Sequence, residues 1–311
     1  MDGRHSFMIE AGNKQRAIMK PQQTAEPGVS ITRVDQCPTL ESAVNYLGEM
    51  DEFPVFYSEN YQDNNLNLEE HRITVRDART IRDQLSLERD GFILADHASR
   101  MKNFRDTDEV QHIYQPEIRR LIADLTGASL VVATGAVLRW SERATESGSG
   151  ETINSRPARF VHVDYSRASF NDFARMHLDT AGVDDPETWL GKRYVAYNIW
   201  RVLTPPPQDV PLGICAANST APEDVVTGDA VIDAPGQPEF RFGSSLYRYN
   251  PQHRWFYFSA MHPGEALVFK AFDNDRQRLQ GCPHSAFNAP DVAADVTPRA
   301  SVEIRAYAWF D

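Results

Sequence analysis

Within the run RPARFVHVDYS, His162 and Asp164 stand two residues apart, and a second histidine, His284, lies 120 positions beyond Asp164. In an extended strand residues i and i+2 point to the same side, so His162 and Asp164 share a face while Val163 turns away. A third ligand from elsewhere in the fold completes the two-histidine, one-carboxylate face that holds Fe(II) and leaves positions open for a co-substrate and oxygen. His162, Asp164 and His284 are therefore candidate ligands of a mononuclear iron site. An H-x-D triplet alone arises often by chance, and a strand histidine is more often structural; the weight comes from the segment downstream of His284.

A loop rich in Pro, Asp and Ala runs from His284 into a terminal strand, PRASVEIRAYAWFD. Alternation puts Arg299, Ser301, Glu303, Arg305, Tyr307 and Trp309 on one face, and Ala300, Val302, Ile304, Ala306, Ala308 and Phe310 on the other. A strand that is polar on one side and apolar on the other suits a barrel interior. Arginine with a hydroxyl two residues later can grip a carboxylate through a charge-assisted contact and one further hydrogen bond, which makes Arg299 and Ser301 candidates for an anion site. In YNIWRVL, either Tyr197, Ile199 and Arg201 or Asn198, Trp200 and Val202 can face inward. Arg201 is a second candidate for the anion, with pairing to a structural carboxylate as its competing role. Trp200 and the aromatic run Trp255 to Phe258 read as core.

The remaining histidines carry less. His262 sits at a Pro-Gly turn, and His112, His177 and His253 have no accompanying ligand pattern. The H-x-H arrangement of cupins and the HExxH or H-x-H-x-D patterns of zinc hydrolases do not occur.

The elements that must position these groups are mostly short strands separated by Pro and Gly turns. ITVRDA (73–78), GFILADHA (91–98), VVATGAVLRW (131–140), YVAYNIWRVL, GICAAN, RFGSSLYRYN, RWFYFSAM and EALVFKAF have strand character. That density predicts a mainly β fold with helices: a double-stranded β-helix, or jelly-roll barrel of cupin-like form, buttressed by N-terminal helices. Helices are expected over 39–49, where Thr39 offers a cap and Gly48 a stop, over 107–127, over RASFNDFARMHL and at 186–189. Residues 1–30 read as a mobile tail or an arm toward a partner subunit, 31–311 as a single domain with its barrel core mainly in 130–311, and 142–157 as a long loop before the ligand strand.

The ordered set of H-x-D, a distant His and Arg-x-Ser resembles the signature of Fe(II)/2-oxoglutarate-dependent oxygenases. NYLGE (45–49), VRDAR (75–79), DGFILADH (90–97), LTGA (125–128), YNIWRVL (197–203), DVPLGIC (209–215), EALVFKAFDND (265–275), PHSAF (283–287) and PRASVEIRAY (298–307) resemble more specifically the hydroxylase/desaturase family that includes gibberellin desaturase. Related members serve fungal and bacterial secondary metabolism, including cephamycin-type and meroterpenoid pathways, and some make endoperoxides or aziridines. The resemblance spans about residues 40–310. It departs at Val202, where the family usually has Pro, and at Ala216, where an acidic residue is common; both touch the region that shapes the substrate pocket.

The resemblance implies Fe(II) held by His162, Asp164 and His284, with 2-oxoglutarate chelating it and anchored by Arg299 and Ser301, and O2 as oxidant. It further implies hydroxylation, desaturation or oxidative cyclisation, endoperoxides included, at an unactivated C–H bond of a secondary-metabolite intermediate, with release of succinate and CO2. Two alternatives remain open at this point: a catalytically silent jelly-roll binding protein, and a non-heme iron oxidase that does not use 2-oxoglutarate.

The net charge of −12 and a pI near 5.2 argue against nucleic-acid or anionic-membrane partners and leave a small-molecule substrate. Cys37, Cys215 and Cys282 are widely spaced and read as reduced thiols. No apolar run approaches the roughly 20 residues that span a bilayer, and the first residues lack a signal-peptide core. A cytoplasmic location is expected, with a homodimer as the candidate assembly.

Overall fold

The structure is a computed structural model, which describes residues 34–140, 154–233, 236–290, 292–293 and 295–311. The expected tail (1–30) and residues 142–153 of the expected loop lie outside the described residues.

In chain order the strands are β1 (Thr39–Leu47), β2 (Val55–Tyr57), β3 (Leu68–Asp77), β4 (Phe92–Asp96), β5 (Leu130–Trp140), β6 (Asn154–Ser155) and β7 (His162–Val163). They continue with β8 (Arg193–Val202), β9 (Leu212–Cys215), β10 (Val225–Ile232), β11 (Phe240–Tyr247), β12 (Trp255–Tyr257), β13 (Glu265–Asp273), β14 (His284–Ala286) and β15 (Ala300–Phe310). Nine form one sheet in the order β1-β3-β12-β9-β14-β7-β11-β10-β2, and six form a second in the order β4-β13-β8-β15-β5-β6. The fold is thus mainly β, with two sheets and few helices.

The two sheets meet through apolar side chains. Phe92, Trp200, Leu267 and Phe269 of the six-stranded sheet share a core with Ile214 and Phe256 of the nine-stranded one. The six-stranded sheet carries the helix Gln115–Thr126 on its other face and the helix Arg167–Thr180 on the face that bears Asn198 and Arg305. Ile118 and Ile122 of the helix Gln115–Thr126 are fully buried against Ile199, Ile304 and Ala308. That helix comes after a single π turn, Val110–Tyr114, and stops where Gly127 adopts φ 72°, a left-handed conformation that costs glycine little. The helix Arg167–Thr180 starts at Ser166, whose hydroxyl accepts from the Ser169 N–H. Its Phe170, Ala174 and Leu178 pack on Tyr194, Tyr307 and Trp309. Phe173 and His177, also four residues apart, form a second stripe on the same helix.

The helix expected over 39–49 is instead the strand β1, paired antiparallel with β3 from Thr39↔Arg76 to Leu47↔Leu68. Its period-two set of Leu40, Val44 and Tyr46 packs into an apolar cluster, and this pairing overrides the cap-like Thr39 and stop-like Gly48. Strands β2, β6, β10 and β14 are not among those expected; β2 and β14 have only three residues each, and the two-residue β6 falls within the loop expected over 142–157, where it pairs with β5. The N-terminal portion supplies strands to both sheets as well as a buttressing helix.

β13 is buried throughout, including three ionisable side chains, and each is paired as burial of charge requires. Glu265 meets Arg79 and Arg82, and Lys270 and Asp273 meet each other at 3.0 Å. The three cysteines are buried thiols outside any disulfide. Among the described residues no helix is long and apolar enough to cross a membrane.

Close backbone approach next to the ligand strands is set by Gly281. A Cβ there would lie 2.3 Å from the Ala271 carbonyl oxygen and 3.0 Å from a Val163 methyl. Since one obstacle is backbone, Gly281→Ala forces the strands apart. Urea unfolding should show a loss of about 1–3 kcal/mol, the usual range for overpacking.

Candidate metal centre

β14 lies between β7 and β9, and its register places His284 directly opposite His162. The two imidazoles stand 4.4 Å apart between ring centroids. Asp164 comes one residue after β7 and turns back onto the same side, its Oδ1 3.8 Å from His162 Nε2. One ligand atom from each of the three residues lies within 4.8 Å of the others, and all three are buried. The sequence-predicted trio is thus brought together.

Their protonation is prepared for binding a cation. His162 Nδ1 is 2.9 Å from the Phe160 carbonyl and His284 Nδ1 is 3.2 Å from that of Cys282. A carbonyl can only accept, so each Nδ1 carries the hydrogen and each Nε2 is left with its lone pair toward the site. Burial, aided by the neighbouring His284, pushes the His162 pKa down to about 4, and burial likewise lowers that of His284. Both rings are neutral near pH 7.

Asp164 has the opposite requirement. Burial alone would raise its pKa, but the Arg305 charge, with His284 and a direct hydrogen bond from Arg305, holds it well below the usual carboxylate range. Arg305 Nε donates to Asp164 Oδ2 at 3.0 Å and Asn198 Nδ2 to the same oxygen at 2.6 Å. Both come from the six-stranded sheet, where Arg305 and Asn198 are cross-strand partners. Oδ2 is therefore occupied and Oδ1 faces the histidines. Arg305 is itself steadied by Glu303 at 2.7 Å and stands opposite a bulge: the β15–β5 register passes from Ile304↔Ala136 to Ala306↔Ala133, and the Arg305 N–H goes to the Thr134 hydroxyl.

A narrow pocket beside the trio is lined by His162, His284, Trp200, Arg299, Arg139 and Glu303, among others. Arg299 is 1% exposed, its guanidinium 5.6 Å above the Trp200 ring, and its Nε and Nη2 have no hydrogen-bond partner. Burial and the nearby Arg139 charge push its pKa down to about 9. Ser301 is buried, with its hydroxyl 3.5 Å from the Arg139 carbonyl, and does not line this pocket.

Arg201 goes elsewhere. It projects from the opposite face of β8, where it donates to the Tyr114 hydroxyl, to the carbonyls of His97 and Pro263, and to the His97 ring. Its acceptors are supplied by the protein, and the expectation that it meets an anionic ligand is corrected accordingly. The inward set on β8 is Asn198 and Trp200, so Trp200, read as core, is also a pocket wall. Asn198, Arg305 and Glu303 were missed as site residues. The polar face of the last strand had already grouped Arg305 and Glu303 with Arg299, but nothing in the sequence pairs them with Asp164. His262 is exposed beside Glu265, away from the trio.

His162 and Asp164 also border a cavity of about 320 Å³ whose lining includes Tyr165, Phe160 and Arg305.

Replacing Arg305 by Met removes the charge that offsets burial, so Asp164 protonates at higher pH. Only the ionised form ligates a metal. Co(II) titrations followed by visible absorbance should therefore lose binding at a pH at least about one unit above that of the unmodified protein.

Comparison with known proteins agrees with this geometry. A family model described as "Oxidoreductase/YMDC permease-like domain" matches residues 44–309. The Fe(II)/2-oxoglutarate-dependent dioxygenase nvfI of Aspergillus novofumigatus is 27% identical over 248 residues, covering 78% of this chain and 84% of that protein. The hydroxylase/desaturase efuI of Hormonema carpetanum is 27% identical over 301 residues, covering 90% and 98%. A solved structure of the iron and alpha-ketoglutarate-dependent endoperoxidase NvfI superposes with a TM-score of 0.73 at 23% identity, over 87% of this chain and 97% of that one, which shows a shared fold. With that oxidoreductase model matched over most of its length and a buried His-x-Asp…His trio in place, the chain belongs to the Fe(II)/2-oxoglutarate-dependent hydroxylase/desaturase family of dioxygenases.

Proposed function

We propose that this protein oxidises an unactivated C–H bond of a secondary-metabolite intermediate, using Fe(II), 2-oxoglutarate and O2, and that its two sheets form a double-stranded β-helix around the site. One observation carries the reading: a buried guanidinium with unpartnered nitrogens, Arg299, shares a narrow pocket with His162 and His284. A buried cation without an acceptor is costly, and a dicarboxylate between metal and Arg299 would relieve that cost.

His162, Asp164 and His284 are the residues that would hold Fe(II), and Arg299 the residue that would anchor the distal carboxylate of 2-oxoglutarate, with Ser301 as its neighbour on the same strand face. When bound, the iron and co-substrate supply oxidative decarboxylation to succinate and CO2, coupled to removal of a hydrogen atom from the substrate. The protein's own part is placement. Neutral imidazoles and an ionised carboxylate are ready as ligands without proton release, Asn198 and Arg305 fix which carboxylate oxygen is offered, and Trp200 supports the Arg299 guanidinium. Whether an alcohol, an alkene, a ring or an endoperoxide results depends on how the neighbouring cavity seats the substrate.

Anaerobic protein mixed with Fe(II) and 2-oxoglutarate should develop the weak visible charge-transfer band of the chelate. His284→Ala should abolish it, and Arg299→Ala should weaken 2-oxoglutarate binding about tenfold to hundredfold, the loss of a charge-assisted hydrogen bond. In air the unmodified protein should convert 2-oxoglutarate to succinate. Iron binding with neither the band nor succinate formation favours an oxidase that does not use 2-oxoglutarate, and no iron binding in folded protein favours a silent binding protein.

A further inference from the structure

The cavity of about 320 Å³ beside the trio is walled mainly by aromatic rings: Phe56, Phe160, Tyr165, Phe173 and Phe242. The rings brace one another, with Phe56 and Phe160 4.9 Å apart and Phe173 and Phe242 5.2 Å apart. Cations at its inner end are already engaged. Arg305 holds Asp164 and Glu303, Arg139 donates to the Arg156 carbonyl, and exposed Arg156 lies over the Tyr61 ring. Such walls favour apolar ring surfaces and offer an anion no unclaimed partner at depth.

One polar group in the lining stands apart. His177, from the helix Arg167–Thr180, stacks on Phe173 at 5.9 Å and lies 5.0 Å from the Tyr307 ring. No hydrogen bond from its ring to a described residue is formed; burial and the Arg305 charge alone act on it, and they hold its pKa near 4. The other described histidines outside the trio each have a polar partner: His71 meets Glu69, His97 meets Arg201, His112 the Asp108 carbonyl, His253 both Tyr46 and Asp224, and His262 Glu265. A partly buried imidazole among aromatic rings, with no hydrogen-bond partner among the described residues, keeps a donor and an acceptor for a ligand in the cavity.

We propose that this cavity binds an uncharged, ring-containing substrate through one carbonyl or hydroxyl oxygen, and that the imidazole of His177 is the hydrogen-bonding group that sets its orientation beside the trio. The proposal rests on the oxygenase reading and deepens it by naming the substrate class. His177 is a specificity residue in this view: it fixes which face and which carbon of the ring system turn toward His162 and Asp164.

The test uses a matched pair of probes, tetralin and 1-tetralone, which differ by one carbonyl oxygen. The full chain, labelled with 15N-histidine and loaded with diamagnetic Zn(II) and 2-oxoglutarate, is titrated with each. Expected is a shift of the His177 ring-nitrogen resonances with 1-tetralone alone. In His177→Phe the affinity for 1-tetralone relative to tetralin should fall about three- to tenfold, the worth of one neutral hydrogen bond, and His177→Gln should restore part of it. The proposal is overturned if neither probe binds, if both move the His177 resonances alike, or if the relative affinity is unchanged in His177→Phe. Should that variant fail to fold, the resonances of the unmodified protein decide. Absence of the Fe(II)–2-oxoglutarate band in the same protein would count against the oxygenase reading alone, because probe binding at His177 is read independently of it.

Discussion

The site depends on one ion pair, between a buried carboxylate and a partly buried guanidinium. Asp164 belongs to the nine-stranded sheet's side of the interior, and Arg305 to the last strand of the other sheet, and they meet at 3.0 Å with Asn198 as a second donor. A carboxylate buried without such a partner would take up a proton and cease to be an anionic ligand. The same contact therefore ties sheet to sheet, sets the charge of one ligand and selects the oxygen it presents. Everything else around the trio can be read as support for it: Glu303 steadies the guanidinium, and the bulge opposite Arg305 opens β5 where that residue sits.

Much of this was legible in the sequence because short-range periodicity is a local property. The two-residue spacing of His162 and Asp164, and the polar and apolar faces of residues 299–310, are visible without knowing what packs against them, and in the structure Ile304, Ala306 and Ala308 do pack outward against the helix while Arg305 turns in. Register between strands is not local. Nothing in the sequence says that His284 stands opposite His162, or that Asn198 stands opposite Arg305, so the trio's geometry and its supporting groups could be read only from the fold. Arg201 shows the same limit: choosing between two faces of β8 needed knowledge of which side carried the helix Gln115–Thr126. In β1, capping signals of a helix met a pairing partner, and a strand formed.

The interior is divided by charge. Beside the trio lie a pocket with an unpartnered guanidinium, Arg299, and an aromatic cavity whose lining includes the imidazole of His177. In the proposed reading an anion and an apolar molecule would meet different walls, a guanidinium for one and aromatic rings for the other, around the shared His162.

The ligands and their frame also differ in stiffness. β7 has two residues and β14 three, whereas β8 and β15, which carry Asn198 and Arg305, have ten and eleven; all four lie inside their sheets. Short strands held by few ladder bonds yield more easily than long ones held by many. The histidines thus ride on compliant segments, and the carboxylate is clamped by a rigid wall. An ion entering the site would draw the imidazoles toward a fixed oxygen, so the centre's position would be dictated by the carboxylate and its adaptability by the rings.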